Sequence, residues 1–134
     1  MDFSGGAFMK KKSASLYLLV FLIAFFGSMF LFTLPGKEIP SVLWINIPQL
    51  DKLIHAGIFF TLCYTAAATI FALTQKKIGG LLALIIAGVF IAYGTGVEFY
   101  QEQEVEGRSF EKLDILADAA GCLLFLVYIR LSRD

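Results

Sequence analysis

The chain has 134 residues, 58% of them hydrophobic and 16% charged, with a mean hydropathy of +0.78. Soluble domains sit near half apolar and a quarter charged, so this composition excludes an ordinary soluble domain and points to a membrane protein. Eleven basic residues balance eleven acidic ones, which leaves no electrostatic footprint for nucleic acid.

Residues 1–15 are polar, with Gly5, Gly6 and the run Lys10-Lys11-Lys12, and are expected to form a mobile cytoplasmic tail with a topogenic charge cluster. Leu16 to Leu34 is a run of nineteen residues without a charge. At about 1.5 Å per residue it crosses a hydrocarbon core of about 30 Å. It is longer than a usual signal-peptide core, and no small-x-small cleavage site follows, so an uncleaved first transmembrane helix over 16–34 is expected. Pro35 to Lys52 reads as a loop with three prolines, whose apolar middle, Val42-Leu43-Trp44-Ile45, is either a segment lying in the interface or an ordinary loop with a buried Trp. Apolar runs predict a second helix over 53–74, a third over 78–100 and a fourth over 112–131, followed by a short cytoplasmic tail at 132–134. The expected fold is an all-α membrane protein, four transmembrane helices in a compact bundle over 16–131.

With the N-terminus cytoplasmic, the inner segments hold Lys10, Lys11, Lys12, Lys76, Lys77, Arg130 and Arg133, and the outer ones Lys37, Lys52, Arg108 and Lys112. Seven against four places both termini inside. The third helix offers Gly88, Ala92 and Gly96 at i, i+4, i+8 for close helix packing, and Ala117 and Gly121 offer the same on the fourth. Cys63 and Cys122 both fall in apolar runs, where buried thiols are expected rather than a disulfide or a metal site.

Seven of the eleven acidic residues lie between Gly94 and Gly121, and Glu98 and Asp118 fall inside apolar, membrane-length sequence. An ionisable group at that depth costs roughly 2.5–3.5 kcal/mol and marks a functional site by default. Asp51 and His55 are four apart at the start of the second helix, Glu98 and Gln101 three apart at the end of the third, and Asp114 and Asp118 four apart at the start of the fourth. Each pair shares a helix face, all on the outer side, and the connecting loop adds Gly107-Arg108-Ser109. One outward-open polar pocket built from the last three helices is expected, with nothing ionisable from the first. Taken singly, several of these have structural explanations: Asp51 as a helix cap, Asp114 as an acid at a positive helix end, His55 as a hydrogen-bonded core residue, and Glu102, Glu104, Glu106 and Glu111 as a solvated loop face. Glu98 resists this, because it lies near the negative end of its helix and needs a proton or a partner, for which Arg108 is the obvious candidate.

Asp51-Lys52-Leu53-Ile54-His55, then Gly94 with Glu98 and Gln101, then Gly107-Arg108-Ser109 with Asp114, Asp118 and Gly121, together resemble the VanZ-like family of small bacterial membrane proteins. The founding members are associated with teicoplanin resistance. The likeness covers roughly residues 50–125, departing in the acidic loop Glu102-Gln103-Glu104-Val105-Glu106. It implies a bacterial inner-membrane protein and a kinship with enzymes that exchange or hydrolyse head groups of phospholipids and lipid-linked envelope intermediates. In an enzyme of that kind His55 or Glu98 would be the general base and Arg108 the phosphate contact. Glu98, Asp114 and Asp118 could alternatively hold a divalent cation, and oxygen ligands suit calcium or magnesium. The alternative is a non-catalytic membrane module that binds or shields a lipid, a lipid-linked molecule, a lipopeptide or a glycopeptide. A transporter would place its site near the midplane between repeats, whereas these polar groups hug one face.

Overall fold

The computed structural model describes residues 7–35 and 49–132, with side chains from Ser13 onward. The interfacial segment expected around Trp44 falls outside the described residues, as do residues 1–6 and 133–134 of the two tails. The described chain is all-helical: α1 spans Ala7–Thr33, α2 Leu50–Thr74, α3 Gly80–Glu104 and α4 Lys112–Leu131. Three helical stretches, Ser13–Thr33, Leu50–Thr74 and Gly80–Glu104, are long and apolar enough to cross a membrane.

The helix ends have local causes. The expected tail is helical from Ala7, because nothing between Ala7 and Ser15 breaks a helix once Gly5-Gly6 is passed. α1 stops at Thr33, two residues before Pro35, whose ring disfavours helical backbone at Leu34. α2 is bracketed by two left-handed glutamines, Gln49 (φ 61°) and Gln75 (φ 56°), and the Gln75 N–H closes the helix on the Phe71 carbonyl at 2.7 Å. α3 runs four residues past the expected Tyr100, to Glu104, and the chain then turns through Gly107 at φ 75°.

α2 is the centre of the bundle, packed extensively on α1 and α4, while α3 leans mainly on α4. The core lies where they meet: Phe59, Leu62 and Cys63 of α2, Ile86 and Phe90 of α3, Cys122 and Phe125 of α4, closed by Phe32 of α1. Cys63 and Cys122 are buried thiols with sulfurs 3.7 Å apart. Thr61, Thr65 and Thr69 return their hydroxyls to carbonyls one turn back on α2, which satisfies them within an apolar helix. The outside is apolar on every helix, including Ile23 and Phe30 on α1, Leu73 on α2, Leu81 and Val89 on α3, and Leu116, Leu123 and Leu131 on α4.

Close packing uses different small residues from the stripe at Gly88, Ala92 and Gly96. That stripe is exposed, and a Cβ at Gly88 or Gly96 would meet nothing within 4 Å. The close approaches are at Gly94, where a Cβ would press on the Asp118 carboxylate and lie 2.9 Å from Phe59 Cζ, and at Gly121, where it would run into the Ala56 carbonyl of α2.

Candidate functional site

The first two turns of α2 and α4 lie beside the last two turns of α3. Each helix therefore delivers polar side chains to one end of the bundle. Four titratable residues are buried there together: Glu98 is 0% exposed, Asp118 1%, Asp114 3% and His55 4%.

His55 is held on two sides. Its Nδ1–H donates to Asp118 Oδ1 at 2.7 Å, and its ring lies against Phe32, with centroids 4.9 Å apart. A carboxylate only accepts, so Nδ1 is the donor of this bond. Nε2 faces Asp114 Oδ2 at 3.7 Å. Asp118 in turn rests on Gly94, the only kind of residue that leaves it room.

Lys52 occupies the outer rim. Its Nζ donates to Asp51 Oδ2 at 2.7 Å, to Asp114 Oδ1 at 3.1 Å and to Glu111 Oε2 at 3.2 Å. Asp51 thus faces Lys52 in the half-exposed first turn of α2, and Gln49, not Asp51, stands at the helix cap. Asp114 sits in the first turn of α4, where the helix dipole favours an anion.

Glu98 is not paired as the sequence suggests. Among the described residues it has no ion pair with Arg108. Its Oε2 accepts the backbone N–H of Glu111 at 3.0 Å, and its Oε1 is buried with no partner. The Arg108 Nε is likewise buried and unbonded. Proximity in sequence therefore does not become an ion pair. Gln101 donates from Nε2 to the Phe32 carbonyl at 3.0 Å, satisfying one of the free carbonyls at the end of α1.

Two contributors to this site carry no signal as such in the sequence: Glu111 reads there as part of a solvated face and Phe32 as one more apolar residue of the first helix. Lys52 stands in the motif with Asp51 and His55, but nothing there gives it a role beyond its charge. No family model, curated protein or solved structure matches the chain.

Gly94→Ala is expected to push Asp118 off His55, since the added Cβ meets the Asp118 Oδ2 and the immobile Phe59 ring together. His55 is the sole histidine, so one imidazole signal reports the site. Nitrogen-15 NMR should show the strongly hydrogen-bonded Nδ1–H resonance lost in Gly94→Ala and kept in Gly96→Ala. An unchanged signal in Gly94→Ala would mean that Asp118 does not depend on that glycine.

Proposed function

We propose that this is a VanZ-like protein of the bacterial inner membrane. In this reading all four helices cross the bilayer, both termini are cytoplasmic, and the polar end of the bundle opens outward. There it binds, and acts on, the phosphate-bearing head group of a phospholipid or lipid-linked envelope intermediate. The connection to teicoplanin resistance comes with the family resemblance.

The observation that carries this is the burial of His55, Glu98, Asp114 and Asp118 together at one end of a bundle whose outside is apolar. Buried ionisable groups gathered in one place are what a reactive or ligand-binding site requires, and a packing core does not. The exposed leucines of α4 support a fourth crossing although that helix also carries Lys112, Asp114, Asp118 and Arg130. The excess of basic residues in the segments placed inside supports the orientation. His55 lies five residues into α2, about 8 Å of helical rise from its start. In this reading, with α2 starting at the membrane surface, that supports a site at head-group depth rather than at the midplane. Arg108 is half-buried and carries an unbonded Nε, a donor that a phosphate oxygen would satisfy.

The test uses the full chain in nanodiscs with phosphatidylglycerol or, as the phosphate-free comparison, diacylglycerol. Phosphatidylglycerol should bind preferentially, and Arg108→Ala should weaken that preference about tenfold, the loss of one charge-assisted hydrogen bond. Head-group release alongside binding identifies an enzyme, and binding without release identifies the binding module. Equal binding of both lipids, unaffected by Arg108→Ala, would overturn the head-group assignment.

A further inference from the structure

We propose that His55, Glu98 and Asp114 form a binding site for a single divalent cation of the zinc type, with Asp118 as the residue that positions the histidine ligand. One donor atom from each of the three lies within 4.8 Å of the other two. Ligand atoms around a tetrahedral zinc ion are about 3.4 Å apart, from bonds of about 2.1 Å. Small side-chain adjustments therefore close the site.

Each of the three residues is tethered through one atom and has another left over. His55 is held at Nδ1 by Asp118, Asp114 at Oδ1 by Lys52, and Glu98 at Oε2 by the Glu111 N–H. That leaves Nε2, Oδ2 and Oε1. The last is a buried carboxylate oxygen with no partner in the protein, a costly arrangement unless a cation meets it. A carboxylate on the far nitrogen of a ligating imidazole is also the usual support for a metal-bound histidine.

The second acidic group, Asp51, Glu111 and Asp114, makes the contrast. It already encloses the Lys52 ammonium, within 3.2 Å of all three. The inner group shares only Asp114 with that cluster, through Oδ1 on Lys52, while Asp114 Oδ2 faces His55, and neither His55 nor Glu98 is paired with a lysine or arginine. The site is thus built from His55 rather than from the all-oxygen trio of Glu98, Asp114 and Asp118 that the sequence suggests, and Asp118 moves to the far side of the imidazole. Imidazole with two carboxylates suits zinc better than calcium or magnesium. Three protein ligands leave the fourth position open to water or to a phosphoryl oxygen. That last use rests on the head-group reading above; binding of the ion does not.

The experiment titrates the full chain, stripped with chelator in detergent and free of lipid, with Zn²⁺ alone, using calorimetry and metal analysis. Co²⁺ absorption then reports the ligand geometry. One Zn²⁺ per chain is expected. His55→Gln, Glu98→Gln and Asp114→Asn should each weaken binding at least about 100-fold. Asp118→Asn should weaken it about 10–100-fold while keeping the one-to-one stoichiometry, and Glu102→Gln, on the exposed face, should leave it unchanged. Glu98→Gln retains an oxygen for the Glu111 N–H, and circular dichroism and melting establish that it is folded. Wild-type affinity in folded Glu98→Gln, or displacement of Zn²⁺ by equimolar Mg²⁺, would overturn the site. Absent Zn²⁺ binding with Arg108-dependent lipid binding intact would remove the ion and leave the head-group reading standing. Stoichiometric Zn²⁺ without lipid preference would do the reverse.

Discussion

Gly121→Ala is expected to destabilise the bundle by about 3 kcal/mol, the upper end of the cost of overpacking a core. The added methyl would run into the Ala56 carbonyl oxygen and lie 3.0 Å from the Phe60 nitrogen, both backbone atoms of α2. A side chain can rotate away, but a helix backbone cannot, so α2 and α4 must separate along the seam that carries Asp118 and His55. Gly88→Ala and Gly96→Ala give the control, since both glycines face open space. There alanine should be neutral or stabilise by up to about 1 kcal/mol through helix propensity. Thermal unfolding of the three variants in one detergent decides the matter. A Gly121→Ala melt that coincides with the controls would show that the α2–α4 contact is looser than described.

Lys52→Met should cost about 3 kcal/mol in the presence of chelator, because it leaves Asp114 as an uncompensated buried charge. Asp114 is almost fully buried, whereas Lys52 keeps a fifth of its side chain in contact with the outside, which makes removal of the lysine costlier to its partner than to itself. Asp114→Asn in the same chain should restore most of the loss, and the double-mutant cycle isolates the pair. If Lys52→Met melts with the wild type, the ion cluster is a surface ornament and Asp114 is stabilised by α4 alone.

The sequence shows the helices better than it shows their partners. Uncharged runs of membrane length mark α1, α2 and α3, because backbone satisfaction and apolar content are properties of single segments. The i, i+4 spacing of Asp114 and Asp118 places both on one side of α4, yet they meet opposite nitrogens of His55. Which carboxylate meets which nitrogen depends on the rotation of α2 against α4, and no single-helix pattern encodes that. The same limit explains the glycines. Gly94 and Gly96 are equally small and two residues apart, hence on different faces, and only the packing of α3 on its neighbours selects Gly94. Arg108 and Glu98 look like partners because they are close along the chain, but among the described residues Glu98 bonds the Glu111 N–H and forms no ion pair with Arg108.

Glu111 belongs to both halves of the site. Its side chain joins the Lys52 cluster, while its backbone N–H holds Glu98. The Asp51 and Glu111 side chains are 44% and 47% exposed, so dissolved ions reach them, whereas Glu98 is sealed off. At an ionic strength of about 0.15 M, charges in contact with solvent are screened over about 8 Å, and more strongly as salt rises. Dissolved salt therefore acts first on the exposed rim, and the single Glu111 peptide unit joins that rim to the buried Glu98 carboxylate.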